Sequence, residues 1–339
     1  METLADYGTV QYYGVSTFTT GIFRTFYGYG DTAAAAQLAA SLLAFVILLV
    51  LLERYSRRRA RYHSAAESRA RADLIPLSGS KAIMACVICV SPLMFGFIIP
   101  ATQLLFWAVF EAEPLGWDFV GLAWNSFSLA FLAAIIAVIL AIILSYAKRT
   151  KPIKPVRTVL AMAGFGYALP GTIIAIGVLI PLAWLDHRLI DIFGSWGWDS
   201  PGLLLSGSLV ALLFAYTVRF LAVAIGSVQS GLEKVKPSLD QAGRSMGHSP
   251  LDILRKIHVP LMRSSILTAV LIVFVDVLKE LPATLILRPF NFNTMAVRAY
   301  ELASDERLVD AAPASIMIVL VGLIPVLMLH ASIARRRPH

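Results

Sequence analysis

Seven long apolar stretches constrain the fold of this chain more than any other feature of its sequence. A helix needs about 20 apolar residues to cross the hydrocarbon core of a bilayer, and each stretch reaches that length. Within lipid, only helices and closed barrels satisfy their own backbone, and these stretches are continuously apolar rather than alternating. The sequence therefore predicts an all-α membrane protein, a polytopic helical bundle of about seven transmembrane helices. The stretches cover residues 33–52, 82–110, 121–146, 157–183, 203–230, 261–287 and 310–331.

The scarcity of charge excludes other classes of protein. Only 15% of the 339 residues are charged and 58% are hydrophobic, whereas a soluble domain carries about 25% charged residues. A soluble enzyme and a disordered chain are excluded, and two cysteines are too few for a disulfide scaffold. Cys86 and Cys89 lie in the second apolar stretch without a further Cys or His. We interpret them as packing residues rather than as a redox or metal site.

The basic residues predict the orientation of the chain. Of the 29 Lys and Arg residues, 22 fall in residues 53–81, 147–157 and 231–263 and in the C-terminal tail. The positive-inside rule assigns these regions to the cytoplasm. The N-terminus is then periplasmic and the C-terminus cytoplasmic, in a multi-pass protein. The net charge of +8 is explained by orientation, so no nucleic-acid partner is expected.

An internal repeat predicts the organisation of the chain. The segments Phe18–Phe26 and Phe292–Tyr300 share Phe, Thr, Arg and a final aromatic residue at one offset of 274, and each precedes an apolar stretch. Duplicated halves are common in transporters, although a match of nine residues can also arise by chance. The repeat predicts that residues 1–52 end a truncated first half and that a complete six-helix half follows. The expected regions are a periplasmic segment 1–32, a transmembrane helix 33–52, a basic cytoplasmic linker 53–81, a six-helix domain 82–331 and a basic cytoplasmic tail 332–339.

The loop of residues 231–260 has the signals of two short helices. Pro237 followed by Ser238 predicts a helix stop and a new N-cap, Gly247 ends that helix, and Ser249-Pro250 starts another. Both helices are amphipathic. From spacing alone, the loop is either a docking element for a partner or an amphipathic helix that rests on the bilayer. The expected apolar faces are Leu239, Ala242 and Met246 in the first helix, and Ile253, Leu254 and Ile257 in the second.

The spacing in this loop resembles the EAA loop of ABC importer permeases. That family has E-A-A, three residues, G, nine residues and I-x-L-P. The matching residues are Gln241-Ala242-Gly243, Gly247 and Ile257-His258-Val259-Pro260. The resemblance implies a type I-like permease fold in the second half of the chain. It also implies that the loop inserts into a cleft of an ATP-binding subunit and transmits its motion.

Three positions depart from the family pattern, with Gln for Glu, Gly for the second Ala and Val for Leu. Gln241 cannot make a charged contact, so Asp240 is the alternative residue for a salt bridge to the ATP-binding subunit. His248 and His258 are expected at the protein surface. The candidate coupling residues in loop 238–260 are Ser238, Asp240, Gln241, Ala242, Gly243, Gly247, Ile257 and Pro260.

Four further segments look like ferric-iron-type permeases, in which one long chain carries two permease halves. They are Glu2–Thr9, Tyr167–Thr172, Arg219–Ala224 and Lys279–Thr284. The resemblance implies ferric iron as the translocated solute, with thiamine, sulfate or phosphonate compounds as alternatives. It implies two copies of an ATP-binding subunit, a periplasmic solute-binding protein, and a second permease half or homo-oligomer, in the lipid of a bacterial inner membrane.

The chain itself has no sequence signal for ATP chemistry. The phosphate-binding pattern G-x-x-x-x-G-K-[ST] does not occur in its sequence. We therefore expect no catalytic residue, metal cluster or cofactor in this chain, and ATP and Mg are expected in the partner subunit.

Ionisable residues within the apolar stretches are candidates for the translocation path. These are Arg219, Asp276, Lys279 and Glu280. From helical rise, Arg219 is expected to pair with Asp276, whereas Lys279 and Glu280 lie nearer the outer surface. The alternative is a structural cluster of ion pairs.

Pro170-Gly171 is expected to interrupt the fourth stretch in mid-span, either as part of the path or as a simple kink.

Two other classes of protein remain as alternatives to the permease. One is an ion-coupled secondary transporter, which needs no partner, and the other is a seven-helix receptor. A receptor does not need the two-helix loop.

Overall fold

The computed structural model describes residues 2–59, 77–113, 116–198 and 202–334. In these residues every regular element is helical, which confirms the predicted all-α class. Most of the predicted linker 53–81 and of the predicted tail 332–339 lies outside the described residues. The helices are α1 Glu2–Ala5, α2 Gly8–Tyr12, α3 Phe18–Phe23, α4 Thr32–Arg59, α5 Gly79–Leu93, α6 Ile99–Phe106, α7 Trp117–Thr150, α8 Lys154–Ala163, α9 Gly171–Ser195, α10 Leu209–Glu233, α11 Pro237–Ser245, α12 Pro250–Ile253, α13 Val259–Leu261, α14 Arg263–Leu278, α15 Pro282–Leu287, α16 Met295–Ser304 and α17 Leu308–Ala334.

Five helices in the described part of the chain are long and apolar enough to cross a membrane. A sixth is added if Pro250–Leu261 and Arg263–Leu278, which meet at 77°, form one bent span. The apolar stretch of α17, Leu308–Ile324, is shorter. The polytopic helical bundle is thus confirmed, with five or six spans by these criteria. The five are Thr32–Glu53, Gly79–Glu111, Trp117–Thr150, Gly171–Ser195 and Leu209–Glu233. The second of these contains α5 and α6, each followed directly by a π-helical turn.

The predicted fourth span, 157–183, is wrong in its boundaries. The amphipathic helix α8 ends at Ala163, and a 3₁₀ turn and an extended Leu169 separate it from α9. The cause is Pro170, because a residue that precedes proline is disfavoured in the α region. Pro170-Gly171 therefore starts a helix instead of interrupting one, and the span is Gly171–Ser195.

The predicted sixth span, 261–287, is also interrupted. Helix α14 ends at Leu278, and Pro282 is at the start of the short helix α15. Proline fits the first turn of a helix but has no N–H with which to continue a preceding one. The chain consequently turns at Lys279–Leu281, where two of the predicted charges lie.

The core of the bundle is built from α7, α10 and α14, each of which packs against the other two. Small side chains on the facing surfaces let these backbones approach closely, as is usual for helices in membranes. The buried alanines are Ala130, Ala133, Ala134, Ala137 and Ala141 on α7, Ala211, Ala215 and Ala224 on α10, and Ala269 on α14.

The two repeated segments have similar local structures. A short helix with a threonine cap packs against the next long helix in both regions, but the caps are not equivalent, because the offset of 274 aligns Thr294 of α16 with Thr20 and not with Thr17 of α3. The division of the chain into two halves stays a prediction.

Gly166 marks the closest approach between the interrupted segment and α10. A Cβ atom at this position would overlap the carbonyl oxygen of Val218. We expect Gly166→Ala to push the segment away from α10 and to lower stability by about 1–3 kcal/mol, the usual cost of overpacking. Thermal unfolding of the purified protein in detergent measures the change. Gly226→Ala is the control, because a Cβ there meets nothing within 4 Å, and equal melting temperatures for the two variants would contradict the prediction.

Candidate functional site

The loop of residues 237–261, hereafter the coupling loop, consists of two helical segments joined at Gly247. Gly247 has a φ of +79°, the left-handed conformation that ends a helix and favours glycine. Ser249 then caps α12, because its Oγ accepts from the N–H of Asp252 at 3.2 Å. The predicted bend and second helix start are confirmed. Ser238 is not the N-cap, since Lys236 occupies that position and Pro237 begins the helix.

The two segments present their apolar faces differently. Ile253 and Leu254 of the second segment are buried, whereas all three apolar residues of the first face are exposed. Leu239 has 38% of its surface exposed and Met246 67%. An exposed apolar face of this kind is typical of a surface that binds a partner or contacts a membrane.

Gly243 explains one departure from the EAA pattern. A Cβ atom at Gly243 would lie 2.9 Å from Cγ1 of Ile253, which is too close for an ordinary contact. The second segment packs directly against the backbone of α11 at this point. The space between α11 and Ile253 therefore favours glycine at this position, whereas the family pattern has alanine.

Asp240 is engaged within the chain. Its Oδ2 accepts from Nε of Arg149 at 2.8 Å, and its Oδ1 lies 2.5 Å from Nε2 of His258. Burial would raise the pKa of this carboxyl, but the bonds from His258 and Arg149 outweigh that effect and hold the pKa below its usual range. The side chain of His258 is fully buried, so the expectation of a surface position for it is wrong. Gln241 is exposed.

A second candidate region lies in the middle of the bundle. Arg219 Nη1 donates to Glu280 Oε1 at 2.9 Å, and Lys279 pairs with Asp276 at 3.2 Å. The predicted pair of Arg219 with Asp276 is wrong, because α14 ends at Leu278 and the turn that follows directs Glu280 to Arg219. Glu280 is only 5% exposed, so it does not reach for the membrane surface, whereas Lys279 is half-exposed.

These charges line a cavity of about 210 Å³. Its wall also includes Asp6, from the segment that precedes the first long helix, and Tyr167. Gly171 packs against the ion pair, since a Cβ there would overlap Arg219 Nη1 and Glu280 Oε1. The structure therefore brings together Gly171, Arg219 and Glu280, with Asp276 and Lys279 beside them. The candidate coupling residues are not part of this cavity and lie in a separate region, the coupling loop.

Sequence reasoning missed Arg149 and Asp6 in these two regions, and the buried Asp186 outside them. Asp186 lies in α9, fully buried, and accepts hydrogen bonds from the backbone N–H groups of Leu204, Leu205 and Ser206. Correct boundaries for the fourth span would have identified it as a charge within the membrane. Arg149 was hidden in a run of basic residues, and nothing in the sequence places Asp6 near Glu280. Among the described residues, no cluster of three or more His, Cys, Asp or Glu side chains can hold a metal ion.

The helical bundle and its two-part loop define the class of membrane-spanning permeases of ABC transporters. Residues 153–337 match the family described as binding-protein-dependent transport system inner membrane component. The chain belongs to this family.

Two relatives give the comparison at the level of whole chains. The Fe(3+)-transport system permease protein FbpB 2 of Haemophilus influenzae is 25% identical over 334 residues, which cover 97% of this chain and 63% of that protein. The chain thus spans under two thirds of the length of this relative. A putative 2-aminoethylphosphonate transport system permease protein, PhnV of Salmonella typhimurium, is 23% identical over 208 residues, covering 60% of this chain and 72% of that protein.

Solved structures support the fold. A bacterial alginate ABC transporter, in complex with a periplasmic protein that binds an alginate pentasaccharide, has a chain that matches with a TM-score of 0.51 at 14% identity. The match covers 73% of this chain and 91% of that one. Another structure of a bacterial ABC transporter that imports alginate matches with a TM-score of 0.52, also at 14% identity, over 76% of this chain and 96% of that one.

Proposed function

We propose that this permease is the membrane-spanning subunit of an ATP-driven importer that moves ferric iron across the bacterial inner membrane. The observation that carries the proposal is the coupling loop. Its first segment exposes an apolar face, while its second segment and Asp240 attach it to the bundle. A helix that only rested on the bilayer would not need this attachment by buried polar contacts.

The exposed face of α11 binds the ATP-binding subunit. Leu239 and Ala242 of α11 and Met246, the C-cap residue that follows it, form a compact apolar strip. Helix-in-groove recognition uses strips of this spacing. Two ATP-binding subunits bind ATP and Mg, and a second permease half or a second copy of this chain engages the other of them. Asp240 is held by Arg149 and His258 within the chain, so the contact with the ATP-binding subunit is mainly apolar.

The coupling loop faces the cytoplasm and the opposite end of the bundle faces the periplasm. The support is the concentration of Lys and Arg in the sequence regions beside the coupling loop. A periplasmic solute-binding protein delivers the cargo at the opposite end, with the N-terminus on that side and the C-terminus in the cytoplasm.

The cavity beside Glu280 is part of the translocation path. Three carboxylates, from Asp6, Asp276 and Glu280, line it together with the cations of Arg219 and Lys279. The described residues form no metal-binding cluster here, so we propose only that a cation in transit passes these carboxylate oxygens. Gly171 keeps the space open in which the ion pair forms. The alternative is that these groups are only a structural ion-pair cluster.

Ferric iron is favoured over other cargo by the Fe(3+)-transport relative, which matches 97% of this chain, compared with 60% for the phosphonate-transport relative. The second candidate is 2-aminoethylphosphonate, and thiamine and sulfate are further alternatives.

The rate of ATP hydrolysis by the reconstituted complex tests the cargo. We expect a solute-binding protein loaded with ferric iron to stimulate hydrolysis several-fold over the unloaded protein, because cargo delivery drives the ATP-binding subunits together. The control is the same mixture with 2-aminoethylphosphonate and its binding protein. Stimulation by the phosphonate and not by iron would contradict the assignment of iron and support the second candidate.

A further inference from the structure

A buried polar junction lies beneath the coupling loop, formed by Arg149, Asp240 and His258. The three residues come from three separate elements. Arg149 is in the last turn of α7, Asp240 is in the first turn of α11, and His258 is in the π-helical turn Leu254–His258 that follows α12. The side chains of Arg149 and Asp240 are less than one fifth exposed, and that of His258 is fully buried.

Arg149 connects α7 to both α10 and α11. Its Nη1 donates to the carbonyl oxygen of Leu232 at 2.7 Å, and its Nη2 donates to that of Val235 at 2.8 Å. Leu232 lies in the last turn of α10 and Val235 just follows that helix, so both carbonyls lie where the helix dipole favours a cation. Nε donates to Asp240 Oδ2 of the coupling loop at 2.8 Å, and Nη2 also lies 2.7 Å from that oxygen.

Asp240 receives a second bond from His258, which directly precedes the short helix α13 and then α14. Tyr146, one turn before Arg149, packs its ring at 5.4 Å from that of His258 and donates to the carbonyl oxygen of Pro250 at 2.7 Å. The polar contacts thus join α11 to α7, to α10 and to the entry of α14. These are the three helices that form the core of the bundle.

Charge-assisted bonds of this kind have fixed geometry, and a guanidinium group can make several at once. A displacement of α11 therefore moves the ends of three core helices together. The exposed apolar face of α11 makes no such connection, because it points away from the bundle.

We propose that Arg149 is a positioning residue that transmits movement of the coupling loop to α7, α10 and α14. The inference rests on the proposed docking of an ATP-binding subunit to that loop. Docking depends on the apolar face, whereas transmission depends on the junction, and the two functions are separable by mutation.

The experiment compares Arg149→Ala, Arg149→Lys and Asp240→Asn in the complex purified with its ATP-binding subunit and reconstituted into lipid. The measured quantities are the amount of ATP-binding subunit retained and the stimulation of hydrolysis by cargo-loaded binding protein, per retained subunit. We expect retention close to that of the unchanged protein and a loss of stimulation of at least about tenfold in Arg149→Ala. Arg149→Lys keeps the charge but cannot bind three acceptors in one plane, so we expect an intermediate loss.

Lys148→Ala is the matched control, because Lys148 is the exposed neighbour of Arg149 in the same helix turn. If Arg149→Ala does not assemble, Asp240→Asn decides, since it keeps the shape of the side chain but loses the charge and one of the two acceptor oxygens. The double variant Arg149→Ala with Asp240→Asn is expected to be no worse than Arg149→Ala alone, as for two residues of one unit.

Unchanged stimulation per retained subunit in Arg149→Ala and Asp240→Asn would overturn the proposal and leave the docking role intact. Losses that multiply in the double variant would also overturn it. If the unchanged protein retains no ATP-binding subunit, the proposed function itself fails, and this outcome differs from either of the other two.

Discussion

Replacing Leu239 and Met246 together with aspartate is expected to release the ATP-binding subunit from this permease. Both side chains are exposed on one face of α11 and would be buried in the interface. Only 38% of Leu239 and 67% of Met246 remains to be buried, so the two contacts together contribute about 1.5–3 kcal/mol and their loss weakens binding by at least about tenfold. Co-purification from membranes and a binding titration with the isolated ATP-binding subunit measure the effect. Deletion of residues 238–247 is expected to give the same release.

The matched control exchanges the two residues, as Leu239→Met with Met246→Leu, which keeps the face apolar and changes its shape only slightly. This variant is expected to retain the ATP-binding subunit. Continued co-purification with the aspartate variant or the deletion, at normal levels of the permease, would refute the docking role of α11.

Removing either member of the Arg219–Glu280 pair is expected to be the most destabilising single change in the bundle. Both side chains are largely buried, and loss of one partner leaves the other charge uncompensated, at a cost of about 3–5 kcal/mol. We expect Arg219→Met to lower the melting temperature of the purified protein sharply. The double variant Arg219→Met with Glu280→Gln removes both charges and is expected to recover most of the stability.

The recovered double variant then separates the two interpretations of the cavity. If Glu280 and Asp276 line the translocation path, this variant assembles but transports at a strongly reduced rate. Intact transport in the double variant, and in Asp276→Asn with Glu280→Gln, would reduce the cluster to a structural role. Lys256→Met is the control for stability, because Lys256 and its partner Asp252 are both exposed and their ion pair contributes at most about 1 kcal/mol.

The parts of this molecule that were predictable from sequence are those with local causes. The apolar stretches are long enough to specify helices by themselves, and Gly247 and Ser249-Pro250 specify a bend within a few residues. The spacing of the coupling loop also identified the family, because its matching positions fall within 20 residues.

The parts that were not predictable depend on contacts between distant elements. A hydropathy window passes over Pro170, since the residues on both sides are apolar, so the fourth span was predicted to start at residue 157 when it starts at Gly171. The partner of Arg219 was inferred from the rise of a continuous helix, but α14 ends at Leu278. The burial of His258 depends on its contact with Asp240, 18 positions away, which no periodicity reveals.

We propose that this chain moves its cargo only together with a separate ATP-binding subunit. The most direct test is the accumulation of radiolabelled ferric iron in proteoliposomes that contain the purified complex and the iron-loaded binding protein. We expect accumulation that requires ATP and that is abolished when the ATP-binding subunit is omitted. Accumulation by the chain alone under an ion gradient, without ATP, would contradict it and identify an ion-coupled carrier instead.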